Sequence, residues 1–89
     1  MSTAERVVIY TMNHCPYCLK AKQLLKQRGV PYSEVLVAEE DDAQWDALFE
    51  RSGMRTMPQI FNGDQLIGGY TQLAEHDEKD QLKSLLAST

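Results

Sequence analysis

Apolar residues along this chain form short continuous runs, or else they recur every three or four positions. Runs rich in β-branched side chains indicate buried strands, whereas the wider spacing indicates helices with one buried face. The pattern predicts strands at residues 7–10, 33–37, 59–61 and 65–67. It predicts helices at residues 16–28, 41–52, 70–75 and 77–87. The predicted order is β-α-β-α-β-β-α, an α/β fold with a mixed four-stranded sheet covered by helices.

The residues at the predicted ends support these elements. Pro16 lies in the first turn of the first helix, and Gly29 follows its last residue. Acidic residues open the second helix and Gly53 follows it. Residues 62–64, Asn-Gly-Asp, are typical of a hairpin turn, so the last two strands should be antiparallel. The first two strands flank a helix and should therefore be parallel.

Length and charge limit the possible classes of protein. The 89 residues suit one domain, over residues 1–89, and the net charge is −4 with dispersed basic residues, which argues against a nucleic-acid partner. No apolar stretch reaches the length of a membrane span, and residues 1–6 have no signal-peptide pattern. We therefore expect a cytoplasmic protein that does not bind membranes.

A pair of cysteines stands at the predicted junction of the first strand and the first helix, in Cys15-Pro16-Tyr17-Cys18. Two cysteines at this spacing can close a small disulfide, and the unpaired N–H groups at a helix N-terminus stabilise a thiolate on the first of them. Where thiols are kept reduced, such a pair is more typical of catalysis or metal binding than of a structural crosslink. Cys15 is therefore the candidate nucleophile.

A structural zinc site is the competing interpretation of this cysteine pair. Such a site needs a second pair of ligands, and the sequence has no further cysteine. His14 and His76 are too far apart in sequence to form a paired histidine motif, and we predict that both lie in polar loops, His76 between the last two helices. The acidic residues 39–42 lack the spacing of a calcium loop. No bound metal is expected.

Three further stretches, at residues 10–11, 56–61 and 68–71, accompany the cysteine pair. With them, the chain resembles the glutaredoxins from residue 7 to residue 86. The resemblance implies the thioredoxin fold and thiol–disulfide exchange with glutathione as the reductant. Because Cys18 is present, it also implies the two-cysteine class of the family.

The resemblance also implies roles for individual residues. Cys15 would be the attacking thiolate and Cys18 the resolving thiol. Pro58 would follow a cis peptide bond, so that the backbone of Met57 pairs with that of glutathione. The implied glutathione site comprises Tyr17, Arg55, Thr56, Met57, Pro58, Gly69, Tyr70, Thr71 and Gln72.

Some of these residues also have plainer interpretations. Thr71, near a predicted helix N-terminus, would receive the γ-glutamyl carboxylate of glutathione, but it could equally be an N-cap. Gly68 and Gly69 could form an ordinary turn, and Met57 could be a core side chain. The sequence leaves these alternatives open.

Two positions depart from the pattern of many glutaredoxins. Met12 stands where a basic residue often precedes the first cysteine by three positions. Gln72 replaces an aspartate that pairs with the γ-glutamyl ammonium, and an uncharged amide should bind it more weakly. Arg55 is retained and becomes the main candidate cation for the glycyl carboxylate.

The expected function is glutathione-dependent reduction of protein disulfides and protein–glutathione mixed disulfides, by a monomer that uses glutathione as cosubstrate and holds no permanent cofactor. Two alternatives remain open. One is an electron donor to ribonucleotide reductase that is served by thioredoxin reductase. The other is a carrier in which Cys15 thiolates and glutathione hold an iron–sulfur cluster.

Overall fold

The computed structural model describes residues 7–78. Its elements follow the order β1-α1-β2-α2-β3-β4-α3, as predicted, and most ends lie within a residue or two of their predicted positions. The strands are Val7–Thr11 (β1), Tyr32–Leu36 (β2), Gln59–Asn62 (β3) and Gln65–Gly68 (β4). The helices are Pro16–Gln27 (α1), Asp42–Ser52 (α2) and Tyr70–Glu78 (α3).

The four strands form one mixed sheet in the order β2-β1-β3-β4. β1 pairs with β2 in parallel and with β3 in antiparallel, and β3 and β4 form an antiparallel hairpin. Both predicted pairings are therefore confirmed. Because the loop after Thr11, the last residue of β1, leads directly to the cysteine pair, the pair lies at the end of a central strand of the sheet.

Local capping fixes where α2 begins and ends. The Asp41 side chain accepts a hydrogen bond from the backbone N–H of Gln44 at 3.2 Å, which satisfies one free donor of the first turn. Gly53 has a φ of 72° and its N–H donates to the Phe49 carbonyl, as expected of a glycine that ends a helix. The loop after Gly53 carries one wall of the candidate site.

The buried side chains form two clusters. The first joins β1, α1, β3 and α3, and the second lies beside the cysteine pair. Cys18 belongs to the second cluster and is only 3% exposed, so α1 is anchored to the core at its first turn. The first cluster contains Val7, Ile9, Ala21, Leu25, Val30, Ile60 and Leu73, and the second contains Cys18, Val37, Leu48, Met57 and Phe61.

One predicted break is wrong. Instead of a helix at residues 70–75 and a loop at His76, α3 continues through His76 to Glu78. No proline or glycine interrupts this stretch, and Arg28 at the end of α1 donates to the carboxylate of Asp77 at 2.7 Å. This contact ties the last turn of α3 to α1, and it holds the pKa of Asp77 below its usual value through that hydrogen bond. Most of the predicted helix at residues 77–87 lies outside the described residues.

Candidate active site

The cysteine pair lies where the β1–α1 loop enters α1, and the two cysteines form a disulfide. Their environments differ. Cys15 is half-buried at the surface, whereas Cys18, one turn into the helix, is packed against the core. The reduced pair therefore has one sulfur that a substrate can reach and one that can react only with its neighbour.

The Cys15 sulfur lies at the N-terminus of α1. Cys15 is the N-cap residue, and its Sγ accepts a hydrogen bond from the backbone N–H of Cys18 at 3.2 Å. Free N–H groups and the positive end of the helix dipole favour negative charge at this position. The arrangement is suited to hold a thiolate at Cys15 once the disulfide is reduced.

A cavity of about 400 Å³ lies on one side of the dithiol. Met57 connects the two, because its carbonyl oxygen is 3.7 Å from Cys15 Sγ and the residue also lines the cavity, while its side chain is buried in the core. The Met57–Pro58 peptide bond is cis, as the resemblance implied. The lining residues are Tyr17, Met54, Thr56, Met57, Pro58, Gly69, Tyr70, Thr71 and Gln72.

This cavity brings together eight of the nine residues that the resemblance placed at a glutathione site. Arg55 is the exception. Its guanidinium lies over the Phe49 ring, 4.2 Å from the centroid, and its Nη1 is 3.6 Å from Asp46 Oδ1. The acidic and aromatic side chains of α2 attract it into a separate cavity. The structure therefore does not place a cation from Arg55 beside the other eight residues.

Comparison with known proteins identifies the family. A family model described as Glutaredoxin matches residues 7–67. The chain belongs to the glutaredoxin family. It is 43% identical to a probable glutaredoxin of Synechocystis sp., over 93% of this chain and 76% of that protein, and 41% identical to glutaredoxin 3 of Escherichia coli, over 90% and 95%. The crystal structure of a buckwheat glutaredoxin–glutathione complex is similar, with a TM-score of 0.85 and 30% identity, over 93% of this chain and 77% of that one.

The family assignment confirms the predicted fold class and the kind of chemistry. The mixed four-stranded sheet and its helices are those of the thioredoxin fold in solved glutaredoxins. The cysteine pair is therefore the redox centre of a thiol–disulfide oxidoreductase. No group of three or more histidine, cysteine, aspartate or glutamate side chains within residues 7–78 could hold a metal ion. None of the helices in that segment is long and apolar enough to cross a membrane.

Gln72 of this glutaredoxin folds back onto the start of its own helix. Its Oε1 accepts a hydrogen bond from the N–H of Gly69 at 2.9 Å, which is half of a capping box. The side chain passes so close to Gly68 that a Cβ there would lie 2.8 Å from Gln72 Cβ. Because Gly69 precedes the first helical residue, Thr71 is not the N-cap and its side chain is exposed beside the cavity.

The cavity wall also depends on Gln59, which the sequence interpretation did not single out. This residue is fully buried in β3, and its Nε2 donates to the carbonyl oxygens of Met54 at 3.0 Å and Thr56 at 3.2 Å. These bonds hold the loop between α2 and the cis proline against the sheet. The sequence did contain a signal for this role, because an amide side chain beside Ile60 and Phe61 in a buried strand needs hydrogen-bond partners nearby.

A second and larger cavity, of about 610 Å³, lies on the other side of the dithiol and is lined by both cysteines. Its polar part is a small network in which Thr11 Oγ1 donates to Glu34 Oε2 at 2.7 Å and Lys22 Nζ lies 3.0 Å from the same oxygen. These contacts hold the pKa of the Glu34 carboxyl below its ordinary value, and the hydrogen bond from Thr11 contributes more than the one from Lys22.

Proposed function

We propose that this glutaredoxin reduces protein–glutathione mixed disulfides and protein disulfides, with glutathione as the electron donor. The observation that carries the proposal is the position of the Cys15 sulfur. It is accessible, it accepts a helix N-terminal N–H, and it adjoins the cavity formed by Tyr17, Pro58 and Gly69. A relative with similar structure was solved as a glutathione complex, which supports glutathione as the ligand of this cavity.

The first reaction begins with reduced Cys15. Its thiolate attacks the glutathione sulfur of a protein–glutathione mixed disulfide, that S–S bond breaks, and the protein leaves as a thiolate that takes a proton from water. Cys15 is then bonded to glutathione. A second glutathione thiolate attacks the glutathione sulfur of this intermediate, which forms glutathione disulfide and restores the Cys15 thiolate.

The second reaction uses both cysteines. Cys15 attacks one sulfur of a protein disulfide and becomes bonded to the substrate, and the other substrate sulfur leaves as a thiolate. Cys18 then attacks Cys15 Sγ and releases the second substrate thiolate. The Cys15–Cys18 disulfide that results is the bond present in the structure. Two glutathione molecules reduce it in successive exchanges.

Glutathione would bind through backbone groups more than through side chains. Met57 would pair with its peptide backbone as an added strand does, and the first turn of α3, at Tyr70 and Thr71, would receive its γ-glutamyl carboxylate at unpaired N–H groups. We further propose that residues 1–89 form one domain that acts as a monomer in the cytoplasm, where glutathione keeps thiols reduced.

The test is reduction of a glutathionylated peptide by glutathione, coupled through glutathione reductase to NADPH oxidation. Wild-type protein is compared with Cys15→Ser and Cys18→Ser. We expect turnover by the wild type and Cys18→Ser but none by Cys15→Ser, because the mixed-disulfide route needs only the accessible cysteine. Absence of turnover by the wild type would refute glutathione dependence and direct the search to thioredoxin reductase as the electron source.

A further inference from the structure

Among residues 7–78, no charged side chain lines the cavity of about 400 Å³ formed by Tyr17, Pro58 and Gly69. Its lining residues are aromatic, apolar or uncharged polar, or are glycine. Glutathione carries two carboxylates and one ammonium near neutral pH, so its bound form would be a net anion. Met12 brings no charge, and Arg55 is paired with Asp46 in another cavity. A cation for the substrate must therefore come from elsewhere.

Lys20 supplies a cation at the edge of this cavity. Its Nζ lies 5.3 Å from the centroid of the Tyr17 ring and 6.0 Å from that of Tyr70. Both rings line the cavity, and their centroids are 6.1 Å apart. The contact between Lys20 and Tyr17 follows from their positions in α1, because residues three apart on a helix lie on the same face.

The Lys20 ammonium is also available to a ligand. Within residues 7–78 it forms no ion pair, unlike Lys22 of the same helix, which is paired with Glu34. The two rings restrict where the ammonium lies, yet ring faces attract a cation without accepting its N–H groups as a carboxylate does. Its three donors thus remain free for an anion that enters beside Tyr17 and Tyr70.

We propose that Lys20 binds a carboxylate of glutathione at the end of the cavity formed by Tyr17 and Tyr70, and so selects anionic thiols and disulfides over neutral ones. The inference rests on the proposed function and deepens it. The N-terminus of α3 lies at the same end and favours the same charge, since Tyr70 is the first residue of that helix. Lys20 thus places a positive charge at the end of the cavity where Tyr17 and Tyr70 meet.

The experiment measures binding apart from turnover. S-methylglutathione, which cannot exchange disulfides, is titrated into the reduced protein and followed by NMR chemical shifts. Its diethyl ester, which keeps the ammonium but has no carboxylate, serves as the probe without negative charge. Lys20→Met should weaken binding of S-methylglutathione about fivefold at low salt, since an exposed ion pair contributes up to roughly 1 kcal/mol. Binding of the diester should not weaken, because it has no carboxylate for Lys20 to pair with, and Lys20→Arg should restore the affinity for S-methylglutathione.

Lys26→Met is the matched control. It removes the same charge from the same helix, about 9 Å farther along the axis, and it should leave both affinities unchanged. Equal affinities for Lys20→Met and Lys26→Met would overturn the inference. So would equal weakening of S-methylglutathione and its diester by Lys20→Met, because that result would mean that the side chain acts only by positioning the rings.

The same variants separate this inference from the proposed function. In the coupled assay, Lys20→Met should raise the KM for glutathione about fivefold at low salt, and the difference should disappear as added salt screens the charge. Turnover with no dependence on Lys20 would contradict the inference alone. Charge-dependent binding without any turnover by the wild type would contradict the proposed function alone.

Discussion

Two adjacent glycines offer a test of how the strand β4 and the helix α3 form the cavity wall. Gly68 has a φ of 124°, a conformation that other residues rarely adopt, and an added Cβ would lie 2.8 Å from both Cβ and Cγ of Gln72. An added Cβ at Gly69 meets nothing closer than the Pro58 carbonyl oxygen, at 3.4 Å. The two positions should therefore respond differently to the same substitution.

Gly68→Ala should destabilise the protein strongly. The unfavourable φ costs about 1–2 kcal/mol and the overlap with Gln72 about 1–3 kcal/mol, so the free energy of unfolding should fall by roughly 2–5 kcal/mol. For a domain of this size each kcal/mol lowers the Tm by about 4–8 °C. Urea unfolding followed by circular dichroism measures the change.

Gly69→Ala is the matched variant. Its Cβ makes contacts near ordinary van der Waals distance, so the free energy of unfolding should change by less than about 1 kcal/mol. The methyl group would nevertheless project toward the cavity that Gly69 lines, and the KM for glutathione should rise. A Gly68→Ala variant as stable as wild type, or a Gly69→Ala variant that loses more stability than Gly68→Ala, would refute this account of the wall.

Three further substitutions test other parts of the structure. Met12→Lys should raise the rate at which iodoacetamide alkylates Cys15 at pH 7, because a nearby cation favours the thiolate, and an unchanged or slower rate contradicts this. Glu34→Gln should lower the free energy of unfolding at neutral pH by up to roughly 1 kcal/mol. Because the pKa of Glu34 in the folded protein lies below its ordinary value of 4.5, the ionised carboxylate stabilises the fold above that pH. The difference in unfolding free energy between wild type and Glu34→Gln should therefore vanish in acid. Urea titrations that show the same difference at pH 7 and pH 3 would contradict this. Gln59→Leu should cost about 1–3 kcal/mol by removing the hydrogen bonds from its Nε2 to the Met54 and Thr56 carbonyls, and it should raise the KM for glutathione. A KM equal to that of wild type would show that the loop does not depend on this amide.

Features that depend on neighbouring residues could be predicted from the sequence. The start of α1 at Pro16, the β3–β4 hairpin and the strand–helix junction at Cys15 each depend on a few consecutive residues, and the structure has them where the pattern indicated. The cis bond before Pro58 was also predicted, but only through the resemblance to glutaredoxins.

Features that depend on distant contacts could not be predicted. Arg55 is turned away from the cavity because α2 places Phe49 and Asp46 beside it. The predicted break in α3 failed partly because Asp77 pairs with Arg28, 49 positions earlier in the chain. Neither contact has a local sequence signal.

The most direct test of the central claim is to trap the covalent intermediate. Reduced Cys18→Ser protein is mixed with glutathione disulfide and analysed by mass spectrometry of its peptides. Glutathione should be found bonded to Cys15, and added glutathione should release it. A protein that takes up no glutathione, or that carries it at some site other than Cys15, would contradict the account of Cys15 as the glutathione-accepting nucleophile.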